Sequence, residues 1–127
     1  MKKLLILLLS LFFLSSPSVF AENLVYHCNI DTYFKNTGDN KWNNKYIKYT
    51  FTINNNSISV YDHEIDSTYS GTLSIYSQNP ELIGINQTSR YFETLVIDKD
   101  NSVATYSTSY VDGNVHGQYG IGKCKLQ

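Results

Sequence analysis

The sequence predicts an all-β domain, an antiparallel meander of about eight strands closed as an up-and-down barrel, with a two-sheet sandwich as the alternative. Three observations support this. Short runs of alternating apolar and polar residues recur along the chain and are separated by turn signals. The composition favours strands, with 11 Tyr, 14% aromatic residues and 2 Pro. One cysteine lies in the first run and the other in the last.

The chain begins with a predicted secretory signal peptide, residues 1–21. Lys2 and Lys3 precede an apolar core, Leu4–Leu14, and Ala21 ends a short segment suited to cleavage. The apolar core has about eleven residues, whereas about 20 are needed to span a bilayer, so no stable membrane anchor is expected after cleavage. An uncleaved anchor is the alternative. We therefore expect a single small β domain, 22–127, exported to the periplasm or secreted from a bacterial cell.

The first half of this domain predicts two strands and a hairpin turn. In "LVYHCNID", Leu24–Asp31, apolar and polar residues alternate, and Cys28 lies on the apolar face. "FKNTGDNKWNNK", Phe34–Lys45, predicts a polar loop. "YIKYTFTI", Tyr46–Ile53, is the clearest strand pattern in the chain. Asn54–Ser57 then predicts a tight turn, because Asn tolerates a positive φ.

The second half continues the same pattern without a convincing helical period. Turn signals occur around Pro80, in "KDN" and in "DGNVHG". The strands predicted between these turns are "SISVYDHEI" (57–65), "GTLSIYS" (71–77), "LIGIN" (82–86), "YFETLVID" (91–98), "SVATYSTSYV" (102–111) and "QYGIGKCKL" (118–126).

The two cysteines predict one disulfide, Cys28–Cys124, because an even pair in an exported chain usually forms a bridge. Two free buried thiols are the alternative. The bond would require the first and last strands to lie together. Gly120 and Gly122 share a face with Cys124, which predicts close backbone approach at this seam. The glycines in "GQYGIG" are not followed by a helix, so they do not form a dinucleotide fingerprint.

Several functional classes are disfavoured by the sequence. A formal net charge of -1 argues against nucleic-acid binding, which uses a basic face. His63 lies among Asp62, Glu64 and Asp66, but neighbouring strand residues point to opposite faces, so a solvent-facing strand end is favoured over a metal site. No Gly-x-Ser-x-Gly elbow occurs. We predict no catalytic, cofactor-binding or metal-ligating residues.

Aromatic residues near the first long loop form a candidate surface for a ligand or partner. The residues are Tyr33, Phe34, Trp42 and Tyr46. Exposed aromatics on a rigid β scaffold often mark a binding surface. The alternative is that these side chains only pack at the rims of the sheet.

In outline the chain is similar to small bacterial envelope β-barrels, including periplasmic lysozyme inhibitors, which share an early strand cysteine, a late cysteine and a signal peptide. The inhibitors' Ser-x-x-Gly-type loop motif is not evident, so no residue role is transferred. The predicted function is a non-enzymatic binding or inhibitor module for an envelope or host protein, or for a small apolar ligand. A cell-envelope hydrolase using carboxylates such as Asp62 or Glu64 is the second hypothesis. A purely structural envelope component is the third.

Overall fold

A computed structural model describes residues 23–38 and 41–127. The predicted signal peptide, 1–21, lies outside the described residues. Within the described ranges the chain forms strands and turns, and it has no helix that is long and apolar enough to cross a membrane. The strands are β1 (Leu24–Asn36), β2 (Asn43–Asn54), β3 (Ser57–Asp62), β4 (Ser67–Thr68), β5 (Leu73–Ser77), β6 (Leu82–Gln87), β7 (Tyr91–Asp98), β8 (Val103–Val111) and β9 (Val115–Leu126).

These strands close into an antiparallel barrel of eight strands. Their order around the sheet is β2-β1-β9-β8-β7-β6-β5-β3, and β2 also pairs with β3. β4, which is not among the predicted strands, has 2 residues and pairs with β3 outside this ring. The closed ring confirms the predicted barrel and excludes the sandwich. Eight strands give an interior that side chains can fill.

The seam between β1 and β9 carries the predicted disulfide. Cys28 and Cys124 are register partners with a Cα–Cα distance of 4.1 Å, and they form a disulfide. Gly122 lies two residues before Cys124, and a Cβ added there would be 1.8 Å from the carbonyl oxygen of Asn29. The predicted close approach of the two backbones is therefore confirmed. A disulfide is consistent with an oxidising environment outside the cytosol.

Several element boundaries differ from those predicted, and β9 begins at Val115, inside the predicted turn. The polar loop expected over Phe34–Lys45 is shorter, because β1 continues to Asn36 and β2 begins at Asn43. The β1–β9 ladder extends to Asn36 and His116, and these backbone hydrogen bonds outweigh the polar composition. β3 ends at Asp62, and the following residues form a turn.

Apolar side chains fill most of the barrel interior. The rings of Tyr49, Phe51 and Tyr106 pack together with centroid distances of 4.9–5.8 Å. The buried residues packed around these rings include Ile30, Ile58, Val60, Leu73, Leu95 and Ile97. This core holds the eight strands in a fixed arrangement.

The inner face becomes polar towards one end of the barrel, which we call the mouth. The mouth carries residues 37–38 and 41–42 and the connections 63–72, 88–90 and 112–114. The buried polar side chains nearest to it are Thr32, Asp62, Glu93 and Thr108. Because strand directions alternate, the mouth receives the ends of β1, β3 and β8 and the start of β7. The first residue of β1 and the last residue of β9 lie at the opposite end.

Candidate functional site

Two adjacent cavities open at the mouth. The larger has a volume of about 540 Å³, and the smaller has a volume of about 230 Å³. Tyr110 and Gln118 line both, so the cavities are neighbouring compartments of one site. The other side chains of the larger cavity that bear on function are those of Tyr69, Asn86, Thr88, Tyr91, Glu93 and Thr108.

Glu93 is a buried carboxylate in the wall of the larger cavity. It lies on the same face of β7 as Leu95 and Ile97, and it is only 2% exposed. Tyr106 donates its hydroxyl to Oε1 at 2.6 Å, and Tyr91 donates to Oε2 at 2.7 Å. Among the described residues no Lys, Arg or His nitrogen forms an ion pair with it. Neutral hydroxyl groups are therefore its protein partners.

Asp62 holds a similar position beside the smaller cavity. It continues the inward-facing set of β3 and is 5% exposed. Tyr69 donates its hydroxyl to Oδ2 at 2.7 Å, and the backbone N–H of Glu64 donates to Oδ1 at 2.8 Å. The prediction of a solvent-facing strand end is wrong for Asp62, although His63, Glu64 and Asp66 are exposed. The closing of β3 onto β2 turns this carboxylate inward.

Four tyrosine hydroxyls form hydrogen bonds at this polar end of the core. Burial raises the pKa of Tyr49 to about 12, and its hydroxyl accepts a hydrogen bond from Gln118 Nε2 at 3.0 Å. Burial, followed by the hydrogen bond to Asp62, raises the pKa of Tyr69. Burial and the nearby Glu93 carboxylate raise the pKa of Tyr91 and Tyr106. All four hydroxyls therefore keep their protons, and three of them act as donors to the carboxylates.

These tyrosines predict an alkaline transition. In the unfolded chain these four tyrosines lose their protons near pH 10, whereas in the folded chain they keep them. The free energy of unfolding that they contribute is therefore fully present below about pH 10 and falls as the pH rises further. For Tyr49 the loss continues up to its folded pKa of about 12. We expect part of the tyrosinate absorbance to develop only together with the loss of the β-sheet circular dichroism signal.

The control is the same alkaline titration in concentrated urea, where all the tyrosines are expected to titrate in one phase. If the folded protein also titrates in one phase while its circular dichroism signal persists, the proposed tyrosine network is wrong.

The predicted aromatic surface is divided by the fold. Phe34 lines the smaller cavity, with Lys45 Nζ 5.3 Å from its ring centroid. Tyr33 and Tyr46 face outward, and Tyr46 is 76% exposed. Trp42 is exposed at the mouth, one residue before β2, and does not line either cavity. Of the four aromatic residues only Phe34 therefore lines a cavity, and a partner surface formed by the other three stays a prediction.

The residues of the larger cavity are not among the site residues predicted from the sequence. One signal was present in "YFETLVID", where the alternation that places Leu95 and Ile97 inside also places Glu93 inside. Tyr69 had no such signal, because it lies in a connection between strands. Gln118 lies on the same face of its strand as Gly120 and Gly122, and the sequence indicates only a seam role for that face.

The rim of the mouth contains an ion pair and a histidine–aspartate contact. Lys45 pairs with Glu64, and His116 Nε2 lies 2.6 Å from Asp112 Oδ1. In the part of the chain that the structure describes, no three His, Cys, Asp or Glu side chains are placed to hold a metal ion. No protein-family model matches the chain, and no curated protein sequence matches it. Inference about function therefore depends on the chemistry of the mouth.

Proposed function

We propose that this protein is an exported, non-enzymatic binding module and that the mouth of the barrel is its ligand-binding site. The larger cavity carries the proposal, because its volume of about 540 Å³ lies within the range of small-molecule sites, about 300–1,000 Å³. Such sites usually combine aromatic walls with a few convergent polar groups. Here Tyr69, Tyr91 and Tyr110 supply the aromatic surface, and Asn86 and Glu93 are among the polar groups.

The rest of the molecule supports a binding role for this end. The disulfide-closed barrel and its filled core provide a rigid scaffold, which lowers the cost of ordering a site when a ligand binds. The polar lining favours a polar ligand over the apolar one expected from the sequence. Tyr33, Trp42 and Tyr46 remain a second candidate surface, suited to an envelope or host protein.

A hydrolase that uses Asp62 or Glu64 is the second candidate function, because both carboxylates line the smaller cavity. The contacts that these two carboxylates already make rank this function below the binding role. Asp62 already accepts hydrogen bonds on both oxygens, and Glu64 is paired with Lys45. A general base must take a proton from the water that it activates, and these protein donors compete with that water for the carboxylate oxygens.

Filling the larger cavity should abolish ligand binding. Thr108 is 8% exposed and lines this cavity, so Thr108→Trp places an indole in the space that a ligand would occupy. The next residue, Ser109, is exposed on the outer face, and Ser109→Trp is the matched control. We expect small fragments carrying amine, hydroxyl or carboxylate groups to raise the melting temperature of the wild type and of Ser109→Trp, but not of Thr108→Trp.

Thr88→Trp provides a second filling variant at the rim. Thr88 is exposed and lines the larger cavity, so this change leaves the packed interior intact. Circular dichroism and a thiol assay establish that each variant is folded and disulfide-bonded. Binding that persists in both filling variants, or a wild type that binds no fragment, contradicts the proposed function.

A further inference from the structure

We infer that the larger cavity binds a small organic ammonium ion, a primary amine, with the Glu93 carboxylate as its counter-charge. This inference rests on the proposed function and specifies the ligand class of that site. It follows from the charge of the cavity lining, from the surroundings of Glu93 and from the arrangement of the neighbouring rings and acceptors.

Glu93 is the single charged residue among the described residues that line the larger cavity. The smaller cavity differs, because Lys35, Lys45 and His116 line it together with two carboxylates. Lysine side chains thus line the smaller cavity, whereas no Lys, Arg or His of the described residues lines the larger one. An anionic ligand in the larger cavity would meet Glu93 without a compensating protein cation.

Burial makes this lack of a cation significant. A buried carboxylate is costly unless it is paired and hydrogen-bonded, and Glu93 has hydrogen bonds without a positive partner. The two tyrosine hydroxyls occupy one acceptor position on each oxygen, and a carboxylate has about four such positions in all. A ligand ammonium group would supply the missing positive charge through the remaining acceptor positions.

The other lining groups suit the same ligand. A primary ammonium group donates three hydrogen bonds, and acceptor oxygens are available in the side chains of Asn86, Thr88 and Gln118. The rings of Tyr69 and Tyr110 also line this cavity, and aromatic rings attract cations, although one face of Tyr110 is stacked on the His116 ring. A neutral hydroxyl compound could use the same hydrogen bonds, but it would not need the charge of Glu93. Charge dependence is therefore the property to test.

The test uses three compounds of matched shape, 2-phenylethylammonium, 2-phenylethanol and 3-phenylpropionate. Each is titrated by calorimetry into protein expressed from the full sequence and purified with its disulfide intact. We expect the ammonium compound to bind the wild type at least tenfold more tightly than the alcohol, about 1.4 kcal/mol, and the carboxylate to bind most weakly. Glu93→Gln should remove the preference for the ammonium compound.

Glu81→Gln is the matched control, because it removes the same charge at the opposite end of the barrel and should keep the preference. Thr88→Lys is a second variant that leaves the buried network intact. Its ammonium group can reach the cavity from the rim, so it should weaken binding of the ammonium compound and strengthen binding of the carboxylate.

Equal affinity for the ammonium compound and the alcohol, or a preference that survives Glu93→Gln, would overturn the inference. In that case fragment binding that is still lost in Thr108→Trp would leave the proposed function standing. If none of the three compounds binds the wild type, the ammonium inference is also wrong, and the broader fragment screen decides the proposed function separately.

Discussion

Replacing both Cys28 and Cys124 with serine lowers the free energy of unfolding by about 4–5 kcal/mol, because the bond closes a long loop and restricts the unfolded chain. The two cysteines are separated by 96 residues in sequence. For a domain of about 100 residues, each kcal/mol corresponds to roughly 4–8 °C, so the melting temperature should fall by roughly 16–40 °C.

The serine variant should still fold at low temperature. β1 and β9 keep their ladder of register partners from Tyr26 to Asn36, and the core side chains other than the two cysteines are unchanged. Urea unfolding monitored by circular dichroism measures the loss, and wild type held under reducing conditions is the control, expected to match the variant. A difference below about 1 kcal/mol would show that the bond contributes little beyond the ladder itself.

Gly122→Ala should be among the most destabilising single substitutions in the barrel. The new Cβ would lie 1.8 Å from the carbonyl oxygen of Asn29 and 2.8 Å from the Cα of Ile30. Both are backbone atoms, so no side chain can rotate away and β1 must move from β9. Overpacking usually costs about 1–3 kcal/mol, and we expect a cost at the upper end of that range or above.

Gly117→Ala is the control, because it makes the same change on the same strand. No heavy atom lies within 4 Å of the Cβ position at Gly117. Stability should change by no more than about 0.5 kcal/mol, with a gain favoured because alanine restricts the unfolded chain. Gly122→Ala should also leave some thiol accessible to alkylation after oxidation. Equal effects of the two substitutions would contradict the close approach at the seam.

The features that the sequence predicted are those set by local or pairwise signals. The turn after β2 follows from Asn55, whose φ of 44° is one that asparagine tolerates. The seam follows from Cys28 and Cys124, because a disulfide brings the strands that carry them together. Alternation predicted most strands closely, and "YFETLVID" matches β7 at both ends.

The mouth could not be predicted in the same way. Asp62 and Glu93 are charged, and charge at a strand end usually indicates solvent exposure. Their burial depends on the strands around them, which bring Tyr69, Tyr91 and Tyr106 to donate hydrogen bonds. Tyr69 lies in a connection and Tyr106 lies on β8, and only Tyr91 is on the same strand as its partner, two residues before Glu93. The sequence of one strand therefore does not contain the whole network.

The aromatic residues illustrate the same limit. Tyr33 and Phe34 are adjacent, yet Phe34 lines a cavity whereas Tyr33 lies on the outer face. The sequence predicts a loop from Phe34 onwards, and in a loop the alternation of residues does not indicate which side chains point inward. Once β1 is seen to continue through both residues, their opposite orientations follow from strand geometry.

The position at which 2-phenylethylammonium contacts the protein is the most direct test of a binding role for the mouth. Amide chemical shifts recorded during a titration should change most at Gly71, Asn86, Thr108 and Gln118, which line the larger cavity. The turn at Asn55, at the opposite end, should show no change. Changes concentrated instead on the outer surface, around Trp42, would contradict the assignment of the ligand site to the mouth.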